Sequence, residues 1–192
     1  MAGQRNNGHA KRSVLGAVFL SVQLAFGLGG TAAGASSLPR LTANGVGSMH
    51  FGRSKESTVA ALTKVLGVPN ARGVNTGCGP QFTEVAWHDL ILEFRNGRFT
   101  GYRYIDGGWP LATPHDRVTA KGPLPRLRTG SGLTLGSTLA EARAAYKHFV
   151  QAGAVKWKAE NGMVFVVSST AHNPSAPSNR LVEIKVGTCG SY

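Results

Sequence analysis

The chain has 192 residues and is strongly basic, with 21 lysines and arginines against 9 acidic residues and a net charge of +12. A chain of this length usually forms one domain or two very small ones, which excludes a large multidomain enzyme. The basic residues are spread along the chain, which excludes a polycationic tail and favours a soluble basic surface that attracts anionic partners.

Residues 1–35 have the pattern of a secretory signal peptide. A polar, basic start precedes an apolar run over residues 14–30, and small residues follow, ending in Ala33-Gly34-Ala35. This order predicts export, with cleavage after Ala35 and a secreted or extracytoplasmic location. An uncleaved membrane anchor is the alternative, although the strongly apolar part is short for a bilayer core, which needs about 20 apolar residues.

Residues 36–106 are predicted to form a first α+β repeat. Met49 and Phe51 alternate as in a short strand, and Gly52 permits a sharp turn. Ser54 is a typical N-cap for a helix that ends before Gly67. A loop is then predicted over residues 68–81. Strands are expected at residues 83–87, 90–94 and 98–105, with a corner at His88-Asp89 and an Asn96-Gly97 hairpin turn.

Residues 129–192 are predicted to repeat this order. Residues 133–136 repeat the strand and turn, and Thr138 with Glu141 has the spacing of a capping box. The apolar stripe of the second helix extends to Val150. Strands are expected at residues 155–158, 163–168 and 181–186, with a turn at Asn161-Gly162.

The fold class that follows is α+β, with two tandem repeats of strand, helix and antiparallel strands, and with the helices packed on the sheet. Residues 107–128, rich in proline and basic residues, are predicted to link the halves. Each half is small for an independent core, so we expect them to fold as a unit. The pattern leaves open whether they share one continuous sheet or form two.

Cys78 and Cys189 are the only cysteines. In an exported chain an even number of cysteines predicts a disulfide, because the compartment is oxidising. The bond would close a loop of about 110 residues, for which chain entropy gives a stabilisation on the order of 4–5 kcal/mol. A cysteine nucleophile is the alternative, but the histidines lie in unrelated contexts and none marks a base for it.

The first repeat, from Phe51-Gly52 through Ser54 and Val59 to Leu66-Gly67, resembles the repeat of secreted β-lactamase inhibitor proteins and of small outer-membrane assembly lipoproteins. The resemblance covers about 20 residues in each half, and the second copy matches less completely. It implies helix-on-sheet units whose sheets make a concave face for a partner protein. The chain departs from the inhibitors in having one cysteine pair between distant positions, and it has no counterpart of their inhibitory hairpin loops.

No stretch of the sequence carries a strong catalytic or metal motif. His88-Asp89 and His115-Asp116 lack the further ligands and the spacing of a metal site, so no metal and no cofactor is predicted. The glycine-rich residues 129–136 lack the lysine and the spacing of a phosphate loop. With nine acidic residues a catalytic carboxylate pair is unmarked, and Glu84 and Glu93 are the first candidates to test.

The aromatic residues give the remaining indication of a binding surface. Tyr102 and Tyr104 share one face of a strand and alternate with Arg103, and Arg98 begins the same strand. We predict that these four residues form a basic aromatic patch of the kind used in recognition. Core packing is the alternative for the two tyrosines and the preferred role of Trp87 and Trp157.

The sequence therefore predicts an exported, non-catalytic binding or inhibitor-like module that recognises a protein or an anionic envelope polymer. A cell-envelope hydrolase with an unmarked active site is the alternative. Nucleic-acid binding rests on charge alone, since no recognition motif is present. Membrane contact is expected only through an uncleaved signal segment, and the oligomeric state stays open.

Overall fold

The structure, a computed structural model, describes residues 37–76, 82–107, 114–117, 126–168 and 173–188. These residues belong to one compact unit that spans residues 36–192. The predicted signal peptide, Cys78, Cys189 and most of the predicted linker lie outside the described residues. Within those ranges, neither helix has the length and apolar character required to cross a membrane.

A small antiparallel sheet precedes the first helix. It consists of β1 (Leu41–Thr42), β2 (Gly45–Val46) and β3 (Met49–His50), in that order. Helix α1 (Lys55–Leu66) begins at the N-cap Ser54, whose hydroxyl accepts a hydrogen bond from the Ser57 amide at 3.2 Å. The helix ends at Gly67, whose φ of 84° suits glycine.

The large sheet is continuous across both halves of the chain. Along the chain, its first five strands are β4 (Ala71–Asn75), β5 (Phe82–Trp87), β6 (Leu90–Arg95), β7 (Arg98–Ile105) and β8 (Pro114–Arg117). Helix α2 (Leu139–Ala145) is followed by β9 (Phe149–Gln151), β10 (Lys156–Ala159), β11 (Val164–Val167) and β12 (Leu181–Val186). In the described residues the sheet has nine strands, in the order β8-β4-β5-β6-β7-β12-β11-β10-β9, and every neighbouring pair is antiparallel. The α+β class is therefore observed, and the halves meet where β7 pairs with β12.

The two faces of this sheet have different surroundings. One face carries alternate residues such as Leu92, Tyr102 and Ile184, which join both helices and the small sheet in one apolar core. The opposite face carries Glu84 and Glu93 at its centre. The strand alternation of apolar residues thus directs one set of side chains towards the helices, while the other set includes buried charges.

Both helices begin at turns that are built in the same way. The Gly52 amide donates to the Phe99 carbonyl at 2.8 Å, and the Gly136 amide donates to the Leu181 carbonyl at 2.8 Å. Arg98 Nη1 donates to the Gly52 carbonyl at 2.8 Å, as Arg180 Nη1 does to the Gly136 carbonyl at 2.8 Å. Each helix is therefore fixed to the start of the last strand of its own half.

Two strands occupy segments for which no strand was predicted. β4 lies in the predicted loop over residues 68–81, and β8 lies in the predicted linker. Neither sequence alternates apolar and polar residues, so the period-two pattern gives no signal for them. β8 is an edge strand, and β4 is paired on both sides, with β8 and with β5. Asn75 adds a side-chain contact, since its Nδ2 donates to Glu84 Oε1 at 3.0 Å.

The second half also departs from its predicted elements. Residues 133–135 form no strand, and α2 ends at Ala145 rather than at Val150. The backbone becomes extended at Tyr146, and Phe149 begins β9, where its ring stacks on Trp157 with a centroid separation of 5.5 Å. The apolar stripe assigned to one helix thus belongs to a helix followed by a strand that pairs with β10.

Candidate functional site

The predicted aromatic patch does not form a surface. Tyr102 and Tyr104 are buried, with 0% and 2% of their surface exposed, on the side of the sheet that the helices cover. The Tyr102 hydroxyl donates to the Thr42 carbonyl at 2.9 Å, and the Tyr104 hydroxyl accepts from the Leu127 amide at 3.2 Å. Burial raises the pKa of both phenols. The tyrosines are therefore core residues, which was the alternative to a binding patch.

The two arginines of that patch lie elsewhere. Arg103 projects from the opposite face of β7, because neighbouring residues on a strand point to opposite sides. Arg98 is exposed at the start of β7, where its guanidinium holds the Gly52 carbonyl. The alternation of side chains along a strand places Arg103 on the opposite face from Tyr102 and Tyr104. The sequence alone therefore shows that these three residues cannot form one patch on a sheet face.

Glu84 and Glu93, the predicted carboxylate candidates, are brought together. They are directly paired on β5 and β6. Arg103 Nη2 lies 2.7 Å from Glu84 Oε1, and its Nε lies 3.2 Å from Glu93 Oε1. Burial raises the pKa of Glu93 from its ordinary 4.5 to about 7, the nearby Arg103 lowers it, and the Glu84 charge raises it. We call these three residues the carboxylate cluster.

The carboxylate cluster is buried rather than open to a ligand. The Glu84 and Glu93 side chains are at most 3% exposed, and Arg103 is 12% exposed. In the described part of the chain, Glu84 Oε2 accepts no hydrogen bond. The same ranges contain no group of three or more His, Cys, Asp or Glu side chains placed to hold a metal ion.

A cleft beside α1 is the strongest candidate for a binding site. Its volume is about 740 Å³, which falls within the roughly 300–1,000 Å³ of small-molecule sites. Three segments form its walls: residues 37–40, one side of α1, and residues 126–128, together with parts of the small sheet. We call it the α1 cleft.

The arginines of the α1 cleft are its only charged residues among those described. They are Arg40, Arg126 and Arg128, and all three are exposed. Two of them are also held by hydrogen bonds to backbone carbonyls. Arg40 Nη1 donates to the Gly130 carbonyl at 3.3 Å, and Arg128 Nη1 donates to the Gly132 carbonyl at 3.0 Å. The cleft lining therefore carries three positive charges, two of them on side chains that are held by backbone carbonyls.

The remainder of the α1 cleft is largely apolar. Val46, Met49 and Leu62 form its buried floor. Leu38 and Val65 line it while keeping 38% and 37% of their surface exposed, and they are two of the four exposed large hydrophobic residues in the described ranges. A ligand with an apolar part would cover these two side chains.

Sequence reasoning found this site only in part. The basic residues of the predicted linker over residues 107–128 include Arg126 and Arg128, which line the cleft. Arg40 gave no signal, because it reaches these residues only through chain folding. The Leu41 amide donates to the Arg128 carbonyl at 2.8 Å and thereby joins the two segments.

Comparison of the chain with known protein families, curated proteins and solved structures gives no match.

Proposed function

We propose that this protein is an exported, non-catalytic binding module that holds an anionic partner in the α1 cleft. The observation that carries the proposal is the set of three exposed arginines around one cleft that has no acidic residue among its described lining. Guanidinium groups make paired, charge-assisted hydrogen bonds with carboxylates and phosphates. The site replaces the aromatic patch as the recognition surface.

The proposal keeps the tandem-repeat interpretation of the fold. The matching hydrogen bonds at Gly52 and Gly136, and the matching arginines Arg98 and Arg180, support two copies of one helix-on-sheet unit. We also retain, as a proposal, the kinship with secreted β-lactamase inhibitor proteins and small outer-membrane assembly lipoproteins. A binding role agrees with that kinship.

The test compares two double variants with the same change in charge. Arg126→Glu/Arg128→Glu reverses two arginines of the cleft, and Lys147→Glu/Lys158→Glu reverses two exposed lysines that do not line it. Binding of polyglutamate, inorganic phosphate and anionic micelles to the exported protein is measured by calorimetry. We expect at least one of these probes to bind, with a tenfold or greater loss in the cleft variant and less than threefold in the control.

Equal losses in the two variants would contradict the proposal, because they would assign the binding to net charge. Failure of all three anionic probes to bind would contradict it as well. Circular dichroism of each variant distinguishes a lost site from a lost fold.

The carboxylate cluster supports the second candidate function, a hydrolase. A carboxyl group with a pKa of about 7 is suited to general acid or base catalysis at neutral pH, and Glu84 adds a second carboxylate. The burial of both side chains argues against it, because a substrate must reach them. Turnover of chromogenic esters or glycosides that disappears in both Glu84→Gln and Glu93→Gln would establish this function and overturn the non-catalytic one.

A further inference from the structure

We infer that the ligand of the α1 cleft is an anionic amphiphile with a single acyl chain that ends in a carboxylate or phosphate group. The inference rests on the proposed function and narrows it from anionic partners in general to one chemical class. The arrangement of charged and apolar side chains in the cleft and the cleft's volume support this class of ligand.

The charged side chains of the cleft fit an acidic headgroup. Arg126 and Arg128 are one residue apart in a segment that β1 holds in place through the Leu41 amide. Arg40 lies on the neighbouring segment and reaches the carbonyl of Gly130. Guanidinium groups bind carboxylates and phosphates through charge-assisted, often paired hydrogen bonds, which makes these arginines suitable partners for an acidic headgroup.

The apolar side chains fit an acyl chain. Val46, Met49 and Leu62 lie at the floor, and Leu38 and Val65 form walls that still face water. Burial of apolar surface gives about 25 cal/mol per Å², so covering these walls favours a ligand with a hydrocarbon part. An acidic polymer or inorganic anion would satisfy the arginines and leave Leu38 and Val65 exposed.

The cleft's volume agrees with one such molecule. A volume of about 740 Å³ falls within the range of small-molecule sites and is sufficient for one molecule of this kind. Val65 lies on α1 and Leu38 before β1, so the apolar walls face the cleft from two separate elements. A chain that enters between them is covered on both sides.

The experiment measures affinity as a function of chain length. Saturated fatty acids of 8, 10, 12 and 14 carbons, each below its micelle-forming concentration, are titrated into the exported protein by calorimetry. Decanol, inorganic phosphate, polyglutamate and vesicles of anionic phospholipid serve as comparison probes. Complete burial of a methylene tightens binding about fourfold, so we expect at least a twofold gain per added methylene and weak binding of decanol.

Matched variants assign the binding to the cleft. Val65→Asp introduces a charge on an apolar wall, and Val150→Asp introduces the same charge at an exposed valine on β9 that does not line the cleft. We expect Val65→Asp to weaken fatty-acid binding tenfold or more and Val150→Asp to leave it within twofold. Leu38→Ser, outside any helix or strand, provides the same test if Val65→Asp fails to fold.

The outcomes separate this inference from the function on which it rests. Anion binding that depends on Arg126 and Arg128 but not on chain length would overturn the amphiphile and leave the binding module intact. Binding of vesicles without binding of monomeric fatty acid would assign the contact to a membrane surface and would also overturn it. Absence of any arginine-dependent anion binding would overturn both.

Discussion

Glu84 and Glu93 lie directly opposite each other on β5 and β6, and the Arg103 guanidinium contacts both carboxylates. Two carboxylates paired across neighbouring strands repel each other. Burial adds to the cost of charge on Glu93, although Arg103 offsets part of it. This sheet face gives testable predictions for Glu93, Arg103 and Gly101. A fourth prediction concerns the disulfide between Cys78 and Cys189.

Stability should fall with rising pH because of Glu93. Its pKa is raised from 4.5 to about 7 in the folded protein, so the folded state binds the proton more tightly than the unfolded state between these values. The contribution to stability is complete below about pH 4.5 and is lost as pH rises through 7. We expect the free energy of unfolding of Glu93→Gln, relative to that of the wild type, to increase by about 2–3 kcal/mol from pH 5 to pH 8. Urea unfolding of both proteins at pH 5 and at pH 8 measures this change. The same difference in free energy of unfolding at both pH values would contradict the prediction.

Removing Arg103 should be strongly destabilising. Arg103→Met leaves Glu84 and Glu93 without the cation that both of them contact. Loss of one partner from a buried ion pair costs about 3–5 kcal/mol. Arg98→Met on the same strand should cost about 1 kcal/mol, because Arg98 is exposed and makes a single hydrogen bond to the Gly52 carbonyl. Comparable losses in the two variants, measured by urea unfolding at pH 7, would show that the cluster does not contribute as described.

Gly101 is required by the close approach of another backbone segment. A Cβ atom at this position would lie 2.7 Å from the carbonyl carbon and oxygen of Gly187. Because these are backbone atoms, Gly101→Ala must displace the end of β12, and we expect a loss of about 2–4 kcal/mol. At Gly130 an added Cβ meets nothing within 4 Å. Gly130→Ala should therefore change the free energy of unfolding by less than about 1 kcal/mol, and thermal unfolding that ranks the variants in the opposite order would contradict the account.

The disulfide between Cys78 and Cys189 stays a prediction, because both cysteines lie outside the described residues. β4 and β12 run in the same direction, with β5, β6 and β7 between them, and their last residues, Asn75 and Val186, each lie three positions before a cysteine in the sequence. We expect neither thiol to react with iodoacetamide in the unfolded, unreduced protein, as read by mass spectrometry. Cys78→Ser/Cys189→Ser should lower the free energy of unfolding by about 4 kcal/mol. Alkylation of both cysteines without reductant would rule the bond out.

The elements with strong local signals could be predicted from the sequence. The Asn96-Gly97 turn has φ values of 48° and 69°, as its hairpin pattern requires, and the predicted bounds of β7 and β12 agree with the structure. The capping box of Thr138 and Glu141 is also present. In these cases neighbouring residues determine the conformation.

The candidate binding site could not be predicted in the same way, because it is formed by residues that are distant in the sequence. Alternation showed that Tyr102 and Tyr104 share a face of β7, but not that helices cover this face. Arg40 and Arg126 are distant in the sequence, and the α1 cleft exists only after β1 has joined their segments. The carboxylate pair could be suggested from composition, whereas its cross-strand register required the structure.

The pairing of β7 with β12 has a consequence for the order in which the protein is made. β12 is made after β8, α2 and β9 to β11, so β7 and its neighbours are synthesised well before this partner strand. During that interval one side of β7 offers unsatisfied amide and carbonyl groups beside large aromatic side chains, which is a template for association with other nascent chains. The vulnerable period of biogenesis therefore ends when β12 emerges and closes this edge.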